Sequence, residues 1–166
     1  MNRTTTEIVR LSFDTGQSYA GFRRRYEGAV PDISSEYLAA YAARGARWDE
    51  VVADAMNSSP HGFFIYWRSD LAPLMSLAGS TVLCSTYLMG NHTIAPRMYR
   101  REPEAMLYMP LHTLIHADDQ GTAWFVLDQP SSVFASFGQP EITEVGAELD
   151  GKVLALLAAL DVAVEP

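Results

Sequence analysis

The chain is poor in the residues that carry most metal and redox chemistry. It holds one cysteine, Cys84, which excludes an internal disulfide framework and a cysteine-rich zinc site. It has no G-x-G-x-x-G, P-loop, G-x-S-x-G, H-E-x-x-H or C-x-x-C motif, so the common nucleotide, hydrolase and zinc signatures give no support. No apolar run approaches the ~18 residues that a membrane span needs. The first residues, Met1 to Glu7, lack the apolar core of a signal peptide, and the expectation is a cytoplasmic protein without a membrane partner. Basic charge is scarce at the C-terminal end: from Asp118 to Pro166 nine acidic residues stand against one basic residue, Lys152. With a net charge of -8 the chain repels phosphates, which argues against nucleic acid as a partner.

What is present suits one domain with a real core. The length is 166 residues, with 48% apolar and 19% charged residues. Residues 7–14 alternate, Val9, Leu11 and Phe13 against Arg10 and Ser12, which predicts a half-buried strand. Thr15 to Gln17 is expected as a turn, with Thr15 or Ser18 capping a helix that carries Tyr19, Phe22 and Tyr26. Arg23, Arg24 and Arg25 fall on that helix but point in different directions, so a solvated face is expected rather than one anion clamp. Ser34 or Asp32 caps a helix with Tyr37, Leu38 and Tyr41 inside, and Gly45 stops it. A second helix follows from Trp48 to Asn57, with Trp48, Val51, Val52, Ala55 and Met56 on one face. Strands are expected at 62–68 and 81–89, separated by a short helical turn. From Pro140 to Leu160, apolar residues at spacings of three and four predict a long amphipathic helix.

The centre is residues 86–130. Leu111 to Ala117 and Thr122 to Leu127 read as two strands of a hairpin around Asp118-Asp119-Gln120-Gly121. His112, Leu114 and His116 share one face, and Thr113 and Ile115 the other. The simplest register sets Ala123, Phe125 and Leu127 beside the histidines. Both faces are largely apolar, so the hairpin is expected to be covered on both sides, by helices on one and by a second subunit or a ligand cavity on the other. Before the hairpin, Gly90-Asn91 is turn chemistry that tolerates positive φ. Ile94, Met98 and Tyr99 are helically spaced, and Pro103 ends that helix or begins another.

The ordered motifs Tyr87-Leu88-Met89-Gly90-Asn91, Ala95-Pro96-Arg97-Met98, Leu107-Tyr108-Met109-Pro110-Leu111, Asp118-Asp119-Gln120-Gly121, Asp128-Gln129-Pro130-Ser131-Ser132-Val133-Phe134 and Phe137-Gly138 resemble the domain of unknown function 302 family, in particular its long actinobacterial members. The resemblance runs from Gly62 to about Leu157. It implies an α+β domain that tends to form homodimers, with residues 29–59 as a helical insertion relative to short members. The family's activity is not established, so no catalytic residue is carried over. Three positions depart from the family pattern: His92 where proline is common, His112 where arginine is common, and His116 where an aromatic residue is common.

These histidines are the candidate chemistry. His112 and His116 lie ~13 Å apart along one strand and cannot share a metal. Among apolar neighbours, a neutral imidazole suits general acid–base work or haem ligation. The plain alternative for each is a histidine bonded in the core or at a dimer contact. His92 can approach the same cavity from its turn or simply be exposed. Asp128 can orient a histidine or, better, cap the following turn. Cys84 is expected to be buried and inert.

Tyr87, Met89, Met98, Tyr108, Phe125 and Trp124 are expected as core and as the lining of a soft apolar pocket. The sequence thus predicts a single α+β domain of about five mainly antiparallel strands covered by helices. Its expected role is cofactor-independent acid–base chemistry on a small hydrophobic molecule, with His112 foremost. A haem or other cofactor carrier and a non-catalytic dimeric interaction protein are the alternatives.

Overall fold

The structure is a computed structural model, and it describes residue 1 and residues 3–164. β1 (Arg10–Ser18) leads into α1 (Tyr19–Ala29), then α2 (Ser35–Ala43) and α3 (Trp48–Ser58). β2 (Phe64–Asp70), α4 (Ala72–Ser76), β3 (Cys84–Gly90), α5 (Ala95–Tyr99) and a 3-10 turn (Pro103–Tyr108) follow. The hairpin β4 (Leu111–Ala117) and β5 (Thr122–Asp128), the short α6 (Pro130–Ala135) and the long α7 (Pro140–Ala159) complete the chain. The five strands form one sheet in the order β1-β5-β4-β3-β2, with every neighbouring pair antiparallel. The fold is α+β, as the sequence predicts. Among the described residues, no helix is long and apolar enough to cross a membrane.

Local signals place the helices. Ser18 caps α1 by accepting from the Gly21 amide at 3.3 Å, and Ser34 caps α2 by accepting from Tyr37 at 3.1 Å. Gly45, with φ at +64°, follows the end of α2. One face of the sheet is closed by α1, α5 and α7. Phe22 and Tyr26 of α1, Met98 of α5 and Ile142, Leu149, Val153 and Leu156 of α7 join Tyr87, Met89, Ile115 and Phe125 of the sheet in a single core. The Tyr26 ring packs 5.0 Å from Tyr87 and 5.5 Å from Phe125, and its hydroxyl meets Thr113 Oγ1 at 3.2 Å, so this buried phenol is not left unpaired. Burial opposes the charge on Glu27, but bonds from Arg23 and Tyr87 outweigh it and hold the carboxyl below its ordinary range.

The hairpin register differs from the simplest expectation by one residue. Asp118 stands opposite Thr122, with its amide bonded to the Thr122 carbonyl at 2.9 Å. The connection is thus a three-residue loop, and Gly121 at φ +83° supplies its left-handed position. Ile115 pairs with Phe125 and His116 with Trp124. A one-residue shift exchanges faces. Ala123, Phe125 and Leu127 therefore join Thr113 and Ile115 in the core, while the histidines share the other face with Trp124 and Val126.

β1 also differs from its expected span. It starts at Arg10 and runs through the expected turn at 15–17, with a register shift between Asp14 and Ser18 where Gly16 adopts φ +63°. The inner stripe expected on α3 holds for Val51 and Ala55, whereas Trp48 and Met56 are exposed.

Gly146 marks the closest approach of α6 and α7. A Cβ there would stand 2.9 Å from Ser131 Cα and 3.1 Å from the Pro130 carbonyl oxygen, both backbone atoms. At Gly151, on the same helix, a Cβ would meet nothing within 4 Å. Overpacking costs about 1–3 kcal/mol and outweighs the ~1 kcal/mol helix-propensity gain of alanine. Gly146→Ala is therefore expected to lower the melting temperature and Gly151→Ala to raise it, and thermal denaturation of the two variants checks the sign at each site.

Candidate functional site

The site lies at the β2 edge of the sheet, under α2 and α3. Two local devices aim side chains into it. β2 carries a bulge: Ile65 pairs with Met89 and Trp67 with Leu88, leaving Tyr66 as the extra residue. A bulge re-aims its side chain, and here Tyr66 turns toward the loop after β3. That loop is held by Asn91, whose Nδ2 donates to the Gly62 carbonyl at 2.9 Å and whose Oδ1 accepts from the Thr93 amide at 2.8 Å. This Asx turn fixes His92 between its neighbours. Gly90 has no positive φ, contrary to the turn chemistry expected for it. Its role is close approach, since a Cβ there would stand 3.1 Å from Pro110 Cβ.

His92 Nδ1 and the Tyr66 hydroxyl are 3.0 Å apart. The imidazole lies 5.3 Å from the Phe64 ring and 6.4 Å from the Tyr41 ring, both tilted against it. Nε2 of His92 is buried and has no hydrogen-bond partner among the described residues. Such an orphaned polar atom costs about 1–3 kcal/mol. Two cavities meet at this ring. The larger, about 740 Å³, is a cleft lined by Ile33, Tyr37, Asp54, Phe64, Tyr66 and His92 among others. The smaller, about 180 Å³, is lined by Tyr66, His92, Ala95, Met106, Met109 and Pro110 and is strongly apolar.

The cleft is anchored below and loosely covered above. Below, Pro31 to Ile33 bonds to the β2 edge through the Ile65 amide and carbonyl, each at 2.9 Å. Above, none of the described residues of α2 is fully buried. The Tyr37 and Tyr41 hydroxyls of α2 both donate to Asp54 Oδ2 of α3.

Those bonds, Tyr37 first, hold the Asp54 carboxyl below its ordinary range. Burial pushes the Tyr66 phenol up to about 12, so it is neutral and protonated. Burial likewise lowers the His92 pKa from its ordinary 6.5, against the pull of Asp54, so the imidazole is neutral at pH 7. Arg68 at the rim is committed to Glu27 at 3.1 Å and Asp32 at 3.0 Å. Among the described residues, no three His, Cys, Asp or Glu side chains are grouped to hold a metal ion.

The other sequence-predicted residues are not brought here. His112 is exposed on the outer sheet face, with Nε2 against Thr86 Oγ1, and His116 is half-buried on that face. Asp128 neither orients a histidine nor caps α6. It pairs with Arg10 at 3.0 Å across β1 and β5. Tyr87, Met89, Met98 and Phe125 fill the core rather than line a cavity, Tyr108 packs on Phe137, and Trp124 donates from the outer face to Asp118. Cys84 is half-buried, and burial pushes its thiol pKa up.

Tyr66, Phe64 and Asp54 were not singled out from the sequence. The i, i+4 tyrosine pair on α2 was visible but read as core. Nothing in an apolar run such as Phe63 to Trp67 announces a bulge.

This is a five-stranded antiparallel sheet with a helix-covered cleft at one edge. The family model described as Domain of unknown function DUF302 matches residues 43–160, and the chain belongs to that family. The match takes in α3 and the strands β2 to β5, while β1, α1 and α2 up to residue 42 precede it. The fold is similar to a crystal structure of an uncharacterized conserved protein DUF302 from Bacillus stearothermophilus, with a TM-score of 0.64 at 12% identity over 90% of this chain and 95% of that one. Among curated proteins, none matches.

The lowered His92 pKa has a consequence for stability. Below pH 6.5 the unfolded chain binds a proton at this ring before the folded chain does, so stability falls as pH drops from 6.5 toward the folded pKa and is full above 6.5. His92→Asn is expected to flatten that part of the profile. Urea unfolding of both proteins at several pH values between neutral and mildly acidic checks this, and an unchanged slope in the variant contradicts the burial of the ring.

Proposed function

We propose that the protein binds a small hydrophobic molecule in the cleft between the β2 edge and α2–α3 and performs acid–base chemistry on it with His92. The observation that supports this most directly is the His92 imidazole, neutral, fixed by Tyr66 on one nitrogen and unpartnered on the other, at the meeting point of a roomy cleft and an apolar cavity. Neutral imidazole near pH 7 suits general acid–base work, and a buried polar atom left without a partner beside a cavity calls for an explanation that a ligand supplies. The sequence favoured His112 for this role; its exposed position argues for His92 instead.

The test is ligand capture. Purified full-length protein is incubated with an extract of hydrophobic metabolites and examined by native mass spectrometry, with an absorption spectrum of the same sample. Wild type is expected to retain a small-molecule mass that falls about ten-fold or more in His92→Gln and stays in His112→Gln. Loss in His112→Gln alone returns the role to the outer face. A Soret band in the untreated sample favours the haem carrier.

A second reading concerns assembly. Leu74, Met75, Leu77, Val82 and Leu83 are all exposed, in and after α4, beside a sheet face whose Leu88, Leu114 and Val126 are only half-covered. A cluster of this kind favours an interface over a solvated surface, and we infer a homodimer formed through it. Native mass spectrometry is expected to give a dimer, and Leu77→Glu a monomer. A monomeric wild type at tens of micromolar removes this reading.

A further inference from the structure

We propose that the ligand of this cleft presents a neutral carbonyl oxygen to His92, which acts through a proton carried on Nε2. The inference rests on the cleft being a small-molecule site and goes on to name what enters it.

The argument begins with Tyr66. Its hydroxyl has one proton, and Nδ1 of His92 is its only side-chain partner among the described residues, at 3.0 Å. If the hydroxyl accepted from an Nδ1 proton, its own proton would be left without a protein acceptor in a half-buried position. With the phenol donating to Nδ1, that group is satisfied, and the single ring proton of a neutral imidazole must sit on Nε2. The orphaned atom is then a donor. What it lacks is an acceptor.

Two conditions narrow the acceptor. Asp32, Glu36 and Asp54 line the same cleft, and the rim cation Arg68 is already paired with Glu27 and Asp32, so a carboxylate ligand meets repulsion that nothing offsets. An ammonium has no lone pair to offer. A neutral carbonyl fits both conditions.

The adjoining cavity, about 180 Å³ and lined by Ala95, Met106, Met109 and Pro110, sets the rest of the molecule. A cavity of roughly 150 Å³ accommodates a benzene ring, and methionine walls adapt to the shape of what enters. The ligand is therefore an aryl or short-alkyl carbonyl compound, its apolar end beside the methionines and its oxygen at Nε2. Nε2 is buried in the structure as it stands and Tyr41 of α2 flanks the ring, so α2, none of whose described residues is fully buried, must give way before a carbonyl reaches the nitrogen. In chemical terms His92 is then an electrophile that polarises a carbonyl, rather than a base that removes a proton.

The experiment uses full-length protein labelled with nitrogen-15 in the histidine imidazoles, held well above the ordinary imidazole titration range. The His92 signals are identified by their loss in His92→Gln; should that variant not fold, His61→Gln, His112→Gln and His116→Gln identify them by elimination. Two probes of matched shape, acetophenone and ethylbenzene, are titrated in. The expected result is an Nε2-protonated His92, an Nε2 shift on adding acetophenone, and binding of acetophenone about ten-fold tighter than ethylbenzene, the worth of one hydrogen bond. Tyr66→Phe, which removes the donor to Nδ1, is expected to erase most of that preference.

An Nδ1-protonated ring overturns the inference while leaving His92 free to act as a base in the same cleft, so the broader function survives. Equal affinity for the two probes, or binding of neither, overturns it whatever the tautomer. Ligand capture that is indifferent to His92→Gln is the separate result that removes the broader function.

Discussion

The tip of the β4–β5 hairpin sets the register between β4 and β5, two of the sheet's three inner strands, and with it which side chains share a face. Asp118 Oδ1 accepts from the amides of Gln120 and Thr122, both at 2.9 Å, and Oδ2 accepts from the Trp124 indole at 3.2 Å. With Gly121 left-handed, these bonds close a three-residue loop rather than a four-residue one. Because the side-chain period of a strand is two, that single residue determines whether Phe125 or Trp124 enters the core. Phe125 enters, and Tyr26, Tyr87 and Phe22 close around it. His112 and His116 are thereby placed on the outer face. The histidine that can do buried chemistry is left to the loop after β3.

That loop is suited to the task because its backbone is satisfied without the imidazole. Asn91 provides the turn, and Gly90 admits Pro110. His92 is free of structural duty on Nε2, and its position rests on Tyr66 alone among side-chain hydrogen bonds. The site thus depends on two local irregularities, a bulge and an Asx turn, on adjoining strands. Their combination is stable because the edge is sealed from outside by the Asp32 and Ile65 bridge and because the core beneath is closed by α7.

Much of the fold was legible in the sequence, because it is carried by periodic and local signals. The buried positions Ile142, Val145, Leu149, Val153 and Leu156 of α7, the caps at Ser18 and Ser34, the stop at Gly45 and the five strands follow from spacing and side-chain chemistry. The candidate site was not, and the misses share a cause. Register is a non-local property fixed by one loop residue, and an error of one exchanged the faces of β5. The bulge at Tyr66 exists only because β3 pairs with it. The Asp54 contacts join residues on two helices, so no window along the chain contains them. His92 was named, but with little weight, since a histidine in a turn is ordinarily solvated.

The position of the cleft follows from the sheet order. β2 is an edge strand, and an unpaired edge invites association unless it is blunted. Here Ile65 near its start is bridged by residues 31–33, a bulge interrupts the strand at Tyr66, and the α2–α3 pair stands over the result. Covering an edge with short helices leaves gaps that side chains do not fill, since α2 contributes none of its described residues to the fully buried set. The cleft is therefore what remains when edge protection is achieved by a lightly packed pair of helices. Its chemistry comes from the polar residues that such a cover tolerates: two tyrosines and an aspartate above, and one imidazole below.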